Sequence, residues 1–187
     1  DMMAGLKVGA VLDIGVTPSF SIQPGLFYSM KGFQNDYTQS VTIAGVRYNE
    51  SVDMRMRVNY LEVPINFLYK AHWTNGTVFL GGGPYVAAAI GGEVEVERVR
   101  TFANGNDGRT ITETWTDDLE VGTDAPRDHI TPMDAGLNFT GGYEFNNGLY
   151  LRANIGLGLA NVMPDGNDDN YMRNYGVGFS VGYMFGK

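Results

Sequence analysis

The chain has no cysteine in its 187 residues, which excludes a disulfide framework and thiolate metal sites. It also has no apolar run long enough for a membrane helix. The uncharged stretch Thr77 to Gly92 contains Gly81-Gly82-Gly83-Pro84 and falls short of the roughly 20 apolar residues that a spanning helix needs. Basic residues are scarce: 13 Lys and Arg stand against 21 Asp and Glu, a formal charge of -8. Without a basic stripe to neutralise phosphates, a nucleic-acid partner is excluded. Glycine is in excess, at 26 residues with 12% aromatics, about twice its usual share of about 7%. Glycine at this level, with no collagen period and many aromatics, suits tightly curved, closely packed strands; a disordered chain would lack the aromatics.

The last stretch sets the reading of all the others. From Asn174 to Phe185, Tyr175, Val177, Phe179, Val181, Tyr183 and Phe185 alternate with small or polar residues apart from Met184. Successive side chains of a strand point to opposite faces, so one face is apolar and the other nearly bare. A bare, glycine-lined inner face under an apolar outer one is the pattern of a barrel whose belt meets lipid.

Earlier segments repeat the pattern. Leu6, Val8, Ala10, Leu12 and Ile14 share a face opposite Lys7, Gly9 and Asp13. After the turn Gly15-Val16-Thr17-Pro18, Phe20, Ile22, Pro24, Leu26, Tyr28 and Met30 alternate with polar or small residues. Residues 32–53 read as a long polar loop whose middle, Val41 to Tyr48, extends the flanking strands. From Asn59, Leu61, Val63, Ile65, Phe67 and Tyr69 share a face. Upstream, Met54, Met56 and Val58 take the opposite parity, so a bulge or a change of environment is expected near Val58 to Tyr60.

Beyond the turn at residues 71–76, the strand Thr77 to Ile90 is expected to point Val78, Leu80, Val86 and Ala88 outward. Residues 91–130 are too long for a structureless loop and should form a polar β-ribbon above the sheet. Two further strands, joined by Asn146-Asn147-Gly148, set Leu137, Phe139 and Tyr143, then Leu149, Leu151, Ile155 and Leu157, on the apolar side. A medium loop then precedes the closing strand.

The connections therefore run short, long, short, long, short, medium, as in an outer-membrane barrel with brief periplasmic turns and longer outer loops. The expected fold is all-β, a single antiparallel up-and-down transmembrane β-barrel domain of eight strands. Seven are visible, and the first is expected upstream of Asp1. Lys7, Glu62, Glu144 and Arg152 all fall on the polar parity. On the lipid face each basic residue would cost about 2 to 4 kcal/mol at the bilayer midplane. An eight-stranded interior is just wide enough for side chains to fill it, so Lys7, Glu62, Asn66, Asn138, Glu144, Arg152 and Asn154 are expected to form a buried polar network. Tyr28, Tyr69, Tyr143, Tyr183 and Phe185 lie near strand ends, where an aromatic girdle would sit.

Phe20 to Gly32 (FSIQPGLFYSMKG), Tyr60-Leu61-Glu62-Val63-Pro64, Phe79 to Tyr85 (FLGGGPY) and the closing strand resemble the Bacteroidetes outer-membrane β-barrel domain family that includes PorT-like proteins. The resemblance covers nearly the whole chain. It implies the barrel fold and the outer membrane of a Gram-negative bacterium, and it links PorT-like relatives to a protein secretion system. Glu62, Pro64 and the glycines around Pro84 are shared features to which it attaches no chemical role.

Catalysis finds little support in the sequence. His72 and His129 fall in connections at opposite ends, and neither stands beside a serine in the manner of a barrel lipase; His129 beside Asp128 is either half of a hydrolytic pair or a solvated loop histidine. Asp165, Asn167 and Asp169 offer oxygen ligands to calcium but lack the spacing of a helix-loop-helix calcium loop, leaving a hydrated turn as the other reading. Arg47, Arg55 and Arg57 either pair with lipopolysaccharide phosphates or form cross-strand pairs with acidic loops. No cofactor is expected. The leading reading is a non-enzymatic outer-membrane barrel whose long ribbons contact a protein or glycan partner; the alternative is a soluble lipocalin-like barrel holding a small apolar ligand.

Overall fold

The structure is a computed structural model that describes residues 5–43, 46–102, 109–123, 129–164 and 171–186. Among these residues it is all-β. Nine strands follow one another: β1 (Lys7–Val11), β2 (Ile14–Thr17), β3 (Phe20–Ile43), β4 (Val46–Trp73), β5 (Gly76–Phe102), β6 (Thr110–Asp118), β7 (Met133–Phe145), β8 (Leu149–Gly158) and β9 (Tyr175–Tyr183). The sheet order is β1-β3-β4-β5-β7-β8-β9, with β2 also on β3 and β6 also on β5. Every pairing between these strands is antiparallel.

β1 and β2 are one stave with a break at Leu12 and Asp13. Leu12 still donates to the Pro24 carbonyl across the break, but Pro24 has no N–H to return. Seven staves therefore make up the wall, as the alternation predicts, and β6 stands outside it. Among the described residues the sheet is open between β1 and β9. An up-and-down order of seven leaves these two edges running the same way. The eighth strand expected for closure lies outside the described residues.

Residues 32–53, read from the sequence as a long loop, are strand nearly throughout: β3 and β4 pair without interruption from Phe27↔Glu62 to Ile43↔Val46. The long connection after β5 is the expected ribbon, with Glu93↔Asp118 through Thr101↔Thr110 in register. β3, β4 and β5 have 24, 28 and 27 residues, whereas a spanning strand needs about 9–11. Their upper halves and β6 form a four-stranded blade on the order of 40 Å tall beyond the barrel.

Along β4 the even residues face inward from end to end, from Val52, Met56 and Val58 down to Glu62, Asn66 and Leu68. What changes at Tyr60 is the chemistry of the two faces. Below it Leu61, Val63, Ile65 and Phe67 are exposed on the outside; above it the outer face carries Asp53, Arg55 and Arg57, and the apolar side chains turn in. The phase shift seen in the sequence is thus a change of environment. A bulge accompanies it, on the neighbouring strand: Asn59 pairs with Gly91 and Tyr60 with Ala89, leaving Ile90 unmatched. That extra residue flips β5, so that Phe79, Tyr85 and Ala87 point inward below it and Val94 and Val96 above it. Outside the barrel, Leu80 and Val86 are exposed as expected.

The outer mouth is capped. Leu119, Ile130 and Val162, from the connections that follow β6 and β8, pack on Met56, Val58, Tyr60, Tyr85 and Val94. Thr131 N–H donates to the Val162 carbonyl and Leu119 N–H to Gly92, tying these connections to each other and to the blade.

Candidate functional site

The barrel interior holds the charged side chains. Arg152 is 7% exposed, whereas Phe179 on the outer face of β9 is 86% exposed and Val177 63%. This orientation is the reverse of what a soluble carrier with an apolar cavity requires. Tyr69, Tyr183 and Phe185 are exposed near strand ends; Tyr28 and Tyr143, also expected in the girdle, are half-buried.

A repeated local arrangement explains where the cations go. Four inward aromatic side chains are paired across the sheet with glycines: Phe27 with Gly9, Tyr85 with Gly136, Phe79 with Gly142 and Tyr150 with Gly182. A Cβ on these glycines would come within 2.2 to 2.7 Å of the ring opposite, so only glycine lets the ring lie flat against the wall. Each ring then offers its face to a cation. Lys7 lies 4.7 Å from the Phe27 centroid, Lys31 4.5 Å from Tyr85, and Arg152 5.2 and 5.1 Å from Phe79 and Tyr150. The negative ring face attracts these cations more strongly where water is excluded.

Toward the outer end, two cations meet two carboxylates. Glu62, 2% exposed, takes Lys7 at 2.5 Å and Lys31 at 3.2 Å. Asp134, fully buried, accepts at Oδ2 from Lys31 (3.0 Å), the Tyr85 hydroxyl (3.2 Å) and the Asn174 amide (2.9 Å). Asn174 also donates to the Tyr60 hydroxyl at 3.2 Å, anchoring the start of β9 to the cluster. Charge is balanced locally, which a buried ionic group requires.

Toward the short turns lies a second group. Arg152 donates to Gln23 Oε1 at 2.6 Å, and Lys70 pairs with Asp13. His72 bridges the Pro18 carbonyl (Nε2, 2.6 Å) and the Thr77 hydroxyl (Nδ1, 2.9 Å). A carbonyl only accepts, so in the neutral ring the proton is on Nε2 and Nδ1 accepts from Thr77.

The single interior network expected from the sequence is therefore two clusters, with Glu62 in one and Arg152 in the other. Asn66, Asn138 and Glu144 are buried on the inner face and Asn154 is partly buried, but no side-chain hydrogen bond among the described residues links Asn66, Asn138 or Asn154 to Glu62 or Arg152. β9 turns Gly176, Gly178, Ser180 and Gly182 inward, and nothing lies within 4 Å of where a Cβ would stand on Gly176 or Gly178. A cavity of about 1400 Å³ lies on that side, along the gap between β1 and β9. Lys31, Asp134, Tyr60, Tyr85, Asn174 and Gln23 belong to the clusters and were not singled out by sequence; Tyr85, an inward aromatic opposite Gly136, follows the aromatic–glycine pattern, and the others leave no local signal.

The remaining candidates separate. Arg55 pairs with Asp53, two residues back on its own strand, at 3.0 Å and across the sheet with Glu95 at 3.8 Å, the latter being the cross-strand alternative to an anion contact; Arg57 stands opposite Glu93, and the side chain of Arg47 lies outside the described residues. His129 accepts at Nδ1 from Glu120 N–H at 3.1 Å, while Asp128 lies outside the described residues, as do Asp165, Asn167 and Asp169.

A sheet with charges inside and an uninterrupted apolar exterior defines a membrane β-barrel. The comparison with family models agrees: residues 2–164 match the outer membrane protein beta-barrel domain, and the chain belongs to that family. Searches of curated proteins and of solved structures returned no match.

Proposed function

We propose that the chain is a non-enzymatic barrel of a Gram-negative outer membrane that holds the blade of β3 to β6 out from the cell surface to contact a partner, either a protein or a surface glycan. The observation that carries this reading is the overshoot of three adjacent strands beyond any bilayer, together with the capped outer mouth. A solute pathway would need that mouth open, whereas a display element needs it rigid. His72 and His129, each engaged in local hydrogen bonds, support a role without catalysis. The resemblance to PorT-like proteins adds secretion as the process served, and Arg57, which makes no ion pair among the described residues, is the arginine best placed to meet lipopolysaccharide.

Fractionation and surface proteolysis of intact cells test this together. The chain should partition with outer-membrane detergent extracts, and external protease should cut the blade while sparing the barrel. A protected blade, or a chain recovered in buffer, would overturn it.

A further inference from the structure

β6 is an unusual edge. It is hydrogen-bonded to β5 on one side and, among the described residues, to nothing on the other; all its residues but Ile111 are exposed. Native edges are guarded by proline, charged side chains, bulges or shortness. β6 has acidic side chains as its only guard: its 9 residues include neither proline nor lysine, and its register with β5 is unbroken.

Its charges are all acidic. Glu113 is held by Arg100 at 3.2 Å, but Asp117, Asp118, Glu93 and Glu97 make no ion pair among the described residues. Asp118 stands directly opposite Glu93, a like-charge pairing that destabilises a sheet; Arg57, on the far side of Glu93, is among the described residues the one cation in that row for two carboxylates. Trp115, 37% exposed and stacked with Arg98 at 5.1 Å, offers an apolar anchor on the face it shares with Asp117.

The geometry also removes two occupants. Two copies in one membrane are related by an axis along its normal, which leaves both β6 strands pointing the same way, so they cannot form the antiparallel pair that a two-fold joins. Lipopolysaccharide phosphates carry the same sign as this edge. We propose that the free edge of β6 receives an extended, lysine- or arginine-bearing segment of a partner protein, added as an antiparallel strand. Main-chain hydrogen bonds would hold it, and its cations would reach Asp117 and Asp118. This rests on the reading of the blade as a contact element and names the edge and the chemistry of the contact.

The test uses the full chain in detergent micelles and three synthetic peptides of the length of β6: one with two adjacent lysines placed opposite Asp117 and Asp118, one on each face, and valine elsewhere, one with glutamate for lysine, and one with the lysines kept and two central valines replaced by proline. Hydrogen exchange of β6 amides and fluorescence of Trp115 in a Trp73→Phe background are the readouts. The lysine peptide should slow exchange along β6, and Asp117→Asn with Asp118→Asn should weaken it about tenfold. The glutamate and proline peptides should give no protection. Equal binding of the lysine and proline peptides would reduce the effect to unspecific charge and overturn the proposal. So would an absence of protection, or protection of the upper β3 edge instead; in these cases the blade could still be a contact element, a reading that only the surface proteolysis decides.

Discussion

Tyr85 lies across Gly136 on the neighbouring strand, so close that a Cβ at position 136 would stand 2.7 Å from the ring, and from there its hydroxyl reaches Asp134 at 3.2 Å. The glycine thus places the ring, and the ring places Lys31 between Glu62 and Asp134. Gly136→Val should push Tyr85 off the wall, crowd the Leu157 carbonyl, which would stand 2.2 Å from the new Cβ, and cost about 1–3 kcal/mol through overpacking. Gly178→Val, with nothing in reach, should be nearly neutral. Urea unfolding in lipid vesicles measures both; equal costs would deny the ring its place.

Arg152 and Gln23 meet across the interior at 2.6 Å. Removing only the acceptor leaves a buried cation short of a partner, whereas removing the cation leaves an amide that the cavity can hydrate. Gln23→Leu should therefore destabilise by about 1.5–3 kcal/mol, and Arg152→Met by less. The order of the two unfolding midpoints decides it, since a worse Arg152→Met would mean that the ring contacts dominate.

Inserting one residue between Gly92 and Glu93 reverses the faces of β5 above the bulge, whereas deleting Ile90 would only make Asn59↔Gly91 and Tyr60↔Ala89 adjacent rungs and leave both faces as they are. The insertion would turn Glu93 and Glu95 toward Leu119 and Ile130 and expose Val94 and Val96. The blade should be cut by protease faster than in the unaltered chain while the barrel below Tyr60 keeps its heat-dependent gel mobility. Loss of both would tie barrel folding to the blade.

The blade also carries a pH dependence. The Gln39 amide, hydrogen-bonded to Glu50 at 3.0 Å, and then Arg100 hold the Glu50 carboxyl below its ordinary value of 4.5. A lowered folded-state value means that the stabilisation is present above 4.5 and is lost as pH falls through the folded value. Proteolytic resistance of the blade should be greater than that of Glu50→Gln near pH 7 and equal to it by about pH 3. A difference that persists in acid would assign the effect to packing.

Much of this fold is legible because a strand reports its faces every second residue. The seven staves, the outward Leu80 and Val86 and the inward Arg152 follow from parity alone. Met56 and Val58 were legible as a phase change, but not as strand residues whose direction never alters, since the sequence does not show that the surroundings swap at Tyr60. The β5 bulge is hidden among Gly91 and Gly92, which carry no parity. The cap of Leu119, Ile130 and Val162, and the hold of Asp134 on Lys31, join residues far apart in the chain and leave no local trace.

Absence of cysteine makes the decisive measurement clean. Single cysteines placed along β7 and β4, spin-labelled in lipid vesicles, report whether each position meets dissolved oxygen in hydrocarbon or a water-soluble nickel complex. Leu137, Phe139, Leu61, Val63 and Ile65 should favour oxygen, with Asn138 and Thr140 shielded from it. On the same outer face of β4, Asp53, Arg55 and Arg57 should favour nickel, the exchange falling at Tyr60. Oxygen access at Asn138 and Thr140, or nickel access at Phe139 and Val63, would place the apolar stripes away from lipid and contradict the barrel's orientation.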